Sequence, residues 1–416
     1  MNGVGKKIKV IIISSQFPNI KEPQRGLYTL QIIQQMKRLC ELQVISPLPW
    51  VPNIVFFRKL KKCDNFICVP KFKNHGGINV FYPRYFMIPK IWGPFLSVSV
   101  FFAIFGLLKK LKNKNKVDAI NVHWLYPEGV SAALAASILK IPIVLSALGS
   151  DVNLFKKFLL RRIQIKWALS VAESITSVTD ALKEEIVKLG LPASKIETVP
   201  NGIDRKKFFI RPKDKARNAL GLKNDFKLIL FVGSFDRFVG RRCTIKGAEH
   251  LIEAIYIMKK NYPGNFRLAL IGEGPLREKI KKAAIKLGLS DTALFFGTRP
   301  HEEIALWMNA CDVLVRPTLI EGMPNVVMEA LACGKPVVGS NIGGLVKIIN
   351  SKNGILVEPA NSNSIANGLK EALMKRWDER EIVRSIEKYT WENTAQGYFQ
   401  QITKAIQKND RRKLCL

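Results

Sequence analysis

The run RPTLIEGMPNVVMEALACGKPVVGSNIGG, from Arg316 to Gly344, decides the fold class. It starts at the end of an apolar stretch, 313–316, and runs into a second, 337–340. Between the two, residues 326–332 carry apolar side chains at helical spacing, closed by Gly334 and Pro336. Strand, helix and strand in so short a span predict a crossover between parallel strands.

The pattern extends in both directions. Apolar runs at 9–13, 42–45, 119–122, 143–146, 174–178 and 196–199 predict strands, with helical patterns between them, as at 27–40 and 129–139. Val199-Pro200-Asn201-Gly202-Ile203-Asp204 is turn chemistry, and beyond it the alternation restarts. Strands are expected at 227–232, 267–271, 293–296, 313–316 and 337–340, and helices at 248–260, 276–287, 304–309 and 326–332. This predicts an α/β protein of two Rossmann-like, doubly wound domains facing each other across a cleft. The first is expected to span residues 1–200 and the second 201–384, with a C-terminal helix, 385–416, packing back on the first. A length of 416 residues agrees with two domains. Ligands of such sheets bind beyond the carboxyl ends of the strands, which makes the cleft the expected site.

Apolar residues make up 47% of the chain, which excludes an intrinsically disordered protein despite a net charge of +33. So basic a chain implies an anionic partner: nucleic acid, anionic lipid or phosphorylated ligands. The excess is uneven. Residues 1–120 hold 20 Lys and Arg against 4 Asp and Glu, nearly half the net charge in under a third of the length. A Lys-rich codon bias explains the overall level equally well, but the asymmetry less well. The seven cysteines are scattered without a C-x-x-C pair, which argues against a disulfide framework and for a reducing, cytoplasmic setting. The apolar run after Lys6-Lys7 is too short for a signal-peptide core and reads as the first strand.

One segment stands apart: IWGPFLSVSVFFAIFGLL, Ile91 to Leu108, uncharged and followed by a basic run from Lys109 to Lys116. Three readings stand side by side. It is a half-buried helix of the first domain, a helix lying in a membrane interface beside its basic flank, or a membrane span. A span would cut the α/β alternation in two.

Glu321 and Glu329 are eight apart. The first falls in the loop after a strand, the second inside the following helix. The turn Gly322-Met323-Pro324-Asn325 leads into that helix, whose N-terminus offers backbone N–H groups and a positive dipole end to a diphosphate. Carboxylates accept hydrogen bonds from sugar diols, Glu321 from the loop and Glu329 from the helix. Taken alone, the pair describes a polar loop and a solvated helix face equally well.

The stretch as a whole resembles the signature of glycosyltransferase family 4, retaining enzymes of the two-domain GT-B fold. The matching residues are Glu321-Gly322-Met323-Pro324, Glu329-Ala330-Leu331-Ala332-Cys333-Gly334-Lys335-Pro336-Val337-Val338 and Gly343-Gly344, the family's E-x7-E in its usual setting. By that resemblance Glu321 contacts the donor sugar and Glu329 the nucleotide ribose, with Gly322, Met323, Pro324 and Asn325 beside the donor. The stretch from Val199 to Asp204, followed by Phe208, resembles the family's interdomain segment. Phe231-Val232-Gly233, then Lys246-Gly247, resembles its strand-end glycine and Lys-Gly pair, so Lys246 is expected to neutralise the donor diphosphate. Gly272-Glu273-Gly274-Pro275 resembles a turn that places Gly272 and Gly274 in the nucleotide pocket wall, though a plain strand-to-helix turn reads the same way. Ser234 stands where many members have Arg. Arg237, Arg241 and Arg242 are the candidates for the missing cation, and Arg242 is assigned to the donor.

In the first half, Asp118-Ala119-Ile120-Asn121-Val122-His123-Trp124, then Tyr126-Pro127-Glu128-Gly129, resembles a family pattern in which His123 is exposed to the cleft, near the sugar phosphate and the acceptor. Gln16-Phe17-Pro18 and Gln24-Arg25-Gly26 resemble the first-strand loop, with Gly26 allowing close approach of backbone to donor phosphates or acceptor. Asp151 in Ala147-Leu148-Gly149-Ser150-Asp151 either borders the acceptor pocket or caps a helix. Tyr82-Pro83-Arg84-Tyr85 fits a subgroup that decorates cell-surface polysaccharides.

The resemblance implies a bacterial hexosyltransferase that moves a sugar from a UDP- or GDP-sugar to an acceptor hydroxyl with retention, by front-face attack assisted by the leaving phosphate. Cationic side chains stand in for a metal, and no cofactor is expected to be required. The expected acceptor is a lipid-linked glycan or oligosaccharide of cell-surface polysaccharide synthesis. The enzyme is expected on the inner face of the plasma membrane, held peripherally by an anionic lipid surface. A sugar-nucleotide epimerase of the same fold is the alternative, and the Glu321/Glu329 pair argues against it. Nucleic acid is not expected as a partner, because no helix-turn-helix, RRM or zinc signature accompanies the charge.

Overall fold

The computed structural model describes residues 7–50, 66–87, 93–153, 158–236 and 244–414. The chain divides into two units, Met1–Asn201 with Trp391–Leu416, and Gly202–Thr390.

The first unit is built on β1 (Lys9–Ile13), β2 (Glu41–Ile45), β3 (Leu48–Trp50), β4 (Phe72–His75), β5 (Ile78–Phe81), β6 (Arg84–Phe86), β7 (Ala119–His123), β8 (Ile143–Ala147), β9 (Ser174–Ser177) and β10 (Ile196–Thr198). Its main sheet runs β10-β9-β8-β7-β1-β2-β5-β4, parallel except for the β4–β5 edge, while β3 and β6 pair separately. Strands β7 and β8 are buried along their whole length, as expected where helices cover both faces of a parallel sheet. The helices are α1 (Leu27–Met36), α2 (Leu96–Asn113), α3 (Val130–Leu139), α4 (Ser150–Asn153), α5 (Leu159–Val171) and α6 (Asp180–Val187).

The second unit holds β11 (Lys227–Val232), β12 (Phe266–Ile271), β13 (Ala293–Gly297), β14 (Val313–Arg316), β15 (Val337–Ser340) and β16 (Gly354–Val357), with α7 (Lys213–Ala219), α8 (Ala248–Asn261), α9 (Arg277–Lys286), α10 (His301–Ala310), α11 (Asn325–Ala332), α12 (Leu345–Ile348), α13 (Ser362–Met374) and α14 (Glu379–Arg384). All its paired strands are parallel, in the order β13-β12-β11-β14-β15-β16. The winding reverses between β11 and β14, so the crevice beyond their carboxyl ends is the switch point where such sheets bind ligands. In the first unit the same reversal falls between β1 and β7.

The last helix, α15 (Trp391–Leu414), belongs to the first unit. Trp391, Ala395, Tyr398, Ile402 and Ala405 enter its core beside Ile32, Ile33 and Val44. Burial of Ile402 alone contributes about 1.5–3 kcal/mol.

The apolar segment at 91–108 resolves into α2, which starts at Leu96 and runs on through its lysines to Asn113. One face, Val100, Ile104, Leu108 and Leu111, is buried, and the helix lies against α3 and β6. Phe95, Val98 and Phe102 remain exposed, Phe102 at 74%. No helix among the described residues is long and apolar enough to cross a membrane, because α2 ends in charge. The reading as a span is therefore corrected to a half-buried helix with one apolar face outward.

Candidate active site

At the switch point of the second unit, two cations converge on one carboxylate. Arg316 ends β14, Lys246 sits in the loop before α8, and Glu321 lies in the loop between β14 and α11. Arg316 donates from Nε and Nη2 to Glu321 Oε2 at 2.9 and 2.7 Å. Lys246 Nζ donates to the same oxygen at 3.0 Å and to Oε1 at 3.3 Å. Burial by itself raises the pKa of Glu321, but Arg316 and then Lys246 outweigh it and hold the carboxyl at about 2. Burial, reinforced by Arg316, moves the Lys246 ammonium below its usual range. Glu321, expected to meet the donor sugar, is thus an ion held between two cations.

Gly233 follows β11 and makes room for this cluster. A Cβ there would stand 2.9 Å from Arg316 Nη1 and 3.6 Å from Lys246 Cγ. Gly247 has φ +68°, and a Cβ on it would lie 2.0 Å from the Pro317 carbonyl oxygen, so only glycine sets Lys246 at this turn. Gly272 and Gly274 act together: their missing side chains let the turn after β12 lie against Gly233 and Phe235. There Phe235 N donates to Glu273 O at 3.0 Å. The pocket-wall turn and the Gly233 loop are therefore one packed unit.

The segment 322–325 leads into α11 as expected. Gly322 O accepts from Gly344 N at 3.1 Å, Met323 and Pro324 are buried, and Asn325 is the first residue of the helix. Glu329, one turn on, is buried, and its Oε1 lies 2.9 Å from His301 Nε2 at the start of α10. Lys207 Nζ lies 3.4 Å from the other ring nitrogen. An ammonium only donates, so Nδ1 is the acceptor in that contact and Nε2 donates to Glu329. Phe208 packs on the ring at 5.0 Å between centroids. Sequence reasoning missed His301, whose only local signal is a histidine after Pro300 at a helix start. It also left Arg316 without a role. Arg237, Arg241 and Arg242 lie outside the described residues.

In the first unit, His123 ends β7 but is fully buried, against the expectation of an exposed ring. Tyr398 of α15 stacks on it at 5.1 Å, and Nε2 lies 3.0 Å from Asn121 Oδ1. Burial lowers its pKa to about 4, which keeps the ring neutral at pH 7. Nδ1 has no partner among the described residues. Trp124 follows with φ 99°, a strained conformation for a bulky side chain of the kind that collects at functional sites. Glu128 is buried too, with Oε2 unpaired among the described residues, and burial raises its pKa to about 7 against the opposing Ser15 hydroxyl and Arg25. Gly26, at φ +61°, brings α1 against its own loop: a Cβ would stand 2.2 Å from Gln16 O. Asp151 accepts from the backbone N–H groups of Leu125 at 3.0 Å, Gly149 at 2.8 Å and Val152 at 3.1 Å, so it organises the β7 and β8 loops.

Residues 212–389 match the model of glycosyl transferases group 1, and residues 28–207 that of glycosyltransferase family 4. The chain is 31% identical over 347 residues to an uncharacterized glycosyltransferase of Methanocaldococcus jannaschii, covering 79% of this chain and 85% of the relative. It is 28% identical over 372 residues to the putative teichuronic acid biosynthesis glycosyltransferase TuaC of Bacillus subtilis, covering 87% and 88%. Among solved structures, HepE of Anabaena, in complex with UDP and glucose, superposes with a TM-score of 0.62 at 19% identity, covering 98% of this chain and all of that one. That likeness establishes the GT-B fold.

Proposed function

The chain belongs to glycosyltransferase family 4, and from that premise we propose that it transfers a sugar from a nucleoside diphosphate sugar to a glycan acceptor of cell-envelope synthesis. The transferase activity follows from the family; donor and acceptor are the proposal. The observation that carries it is the cluster of Lys246, Arg316 and Glu321 at the switch point of β11 and β14, in the loop that leads into the helix carrying Glu329. A departing diphosphate needs its charge neutralised, and largely buried cations do this more strongly than cations in water. Lys246 is the group to turn from Glu321 to the phosphates. Glu321, released in part, accepts from the donor sugar's hydroxyls, and Glu329 accepts from the ribose. The bond from the anomeric carbon to the diphosphate oxygen breaks, the acceptor oxygen bonds to that carbon on the same face, and its proton passes to the leaving phosphate. UDP is the first base to try, since HepE was solved with UDP. Teichuronic acid biosynthesis, named for TuaC, supports a cell-surface glycan as product.

The partner surface on the first unit is an anionic membrane. Phe95, Val98 and Phe102 beside Leu159, Leu160 and Ile163 supply exposed apolar contacts on α2, α5 and their approaches. The two helices adjoin through Ser97 Oγ, which donates to Gln164 at 2.7 Å. Among the described residues, Lys109, Lys110, Arg162 and Lys166 are exposed basic residues on the same two helices. Such a face suits insertion at the headgroup level.

Transfer activity of Glu321→Ala and Lys246→Ala, with a cell extract as acceptor source, tests the donor site. Loss in both is expected; parental rates in both would remove the assignment.

A further inference from the structure

We propose that Arg316, from the strand beside β11, is the second cation that meets the donor diphosphate, in the place where Ser234 leaves none. The inference rests on the donor reading above and adds a residue to it. Arg316 ends β14, directly across the switch point from the end of β11. Its side chain reaches over that crevice, and Nη1 donates to Val232 O at 3.0 Å. Gly233 has no Cβ, which would have stood 2.9 Å from that nitrogen. The guanidinium thus fills the space at the tip of β11, beside Val232 and Gly233.

Three of its five N–H groups are engaged, one by Val232 and two by Glu321. One N–H on each terminal nitrogen has no partner among the described residues, which is the fork that grips a phosphate. The local charge points the same way. Arg316 is 7% exposed, Lys246 19% and Glu321 10%, so two cations face one carboxylate. Asp236 is exposed; it makes no ion pair with either cation among the described residues, though its charge also acts on Lys246. Largely buried cations in excess of the carboxylate that pairs with them are unfavourable until another anion joins. At a switch point, with a helix N-terminus near, that anion is a diphosphate.

Titration of the full chain with UDP and GDP, and with the matching nucleosides, tests this. If the parent binds neither diphosphate, the donor reading fails and the proposal with it. If the parent binds one, Arg316→Leu is expected to weaken it about tenfold to a hundredfold, the worth of charge-assisted hydrogen bonds. Nucleoside affinity is expected to change by less than about twofold. Because Arg316→Leu also strips Glu321 of a partner, the comparison is repeated in a Glu321→Gln background. There the loss persists if the guanidinium meets phosphate and vanishes if it only holds Glu321. If Arg316→Leu fails to fold by circular dichroism, Arg316→Lys serves instead, keeping a charge but not the fork; a loss of about threefold to tenfold for the diphosphate alone is expected. Unchanged diphosphate affinity, an equal loss for nucleoside and diphosphate, or a loss that disappears in the Glu321→Gln background would each overturn the assignment, with the donor reading left standing.

Discussion

Replacing His301 by Ala tests whether Glu329 works as a positioned carboxylate. In the structure the imidazole donates to Glu329 Oε1 at 2.9 Å, and the two side chains are 24% and 12% exposed. A hydrogen bond to a charged group is worth about 1.5–3 kcal/mol. Partial exposure lets water replace some of it, so about 1–1.5 kcal/mol is expected to reach the donor complex. That corresponds to a rise in donor KM of about tenfold, with kcat within about threefold, since ribose is held equally before and during transfer. Gln at 301 keeps an N–H donor and is expected to recover part of the loss. The assay is initial rate against donor concentration for His301→Ala, Glu329→Ala and the double variant, with melting temperatures alongside. If the two side chains act as a pair, His301→Ala adds nothing once Glu329 is gone. An unchanged KM, or an equal His301→Ala effect in both backgrounds, would make His301 a packing residue with no part in positioning Glu329.

Other substitutions read the remaining elements. Glu321 titrates near 2 in the fold, so its stabilisation is present above the ordinary carboxylate range and lost as pH falls towards 2; Glu321→Gln is expected to cost about 3 kcal/mol at pH 7, with the gap from the parent closing below pH 4 in denaturant titrations. Glu128 shows the opposite sign: its folded value near 7 lies above the unfolded one, so the fold loses stability as pH rises between them. Glu128→Gln is therefore expected to be up to about 3 kcal/mol more stable than the parent at pH 8 and level with it at pH 4; a variant no more stable at pH 8 would contradict the burial argument. Gly247→Ala forces φ +68° and a clash on a side chain and is expected to cost about 2 kcal/mol or more, read as a fall in melting temperature together with weaker donor binding. Phe102→Asp with Leu160→Asp is expected to abolish sedimentation with phosphatidylglycerol vesicles at low salt without changing transfer to a soluble acceptor; no sedimentation of the parent would remove the membrane partner.

The strands that surround the switch points were legible because parallel strands buried on both faces read as unbroken apolar runs. β1, β11, β14 and β15 lie where those runs predict, to the residue. β16 and the strands between Leu48 and Phe86 were not. They are strands of three or four residues, all but β5 at a sheet edge or paired off, with Pro49 inside β3 and Pro83 between β5 and β6, so they are too short to read as apolar runs. Within the site, sequence singled out the residues whose order along the chain is fixed, such as Glu321, Glu329 and Lys246. It missed what the fold brings from afar. Arg316 meets Val232 across 84 residues and His301 meets Glu329 across 28. Tyr398 covers His123 from a helix that returns at the far end of the chain, which is why the exposed ring expected there is buried.

On the proposed reading, the second unit holds a nucleoside diphosphate sugar through Lys246. Calorimetric titration of the full chain and of Lys246→Ala with UDP-, GDP- and ADP-sugars tests it most directly. One donor is expected to bind the parent and to bind the variant at least about tenfold more weakly. Equal binding to both proteins, or no binding of any donor to the parent, would contradict it.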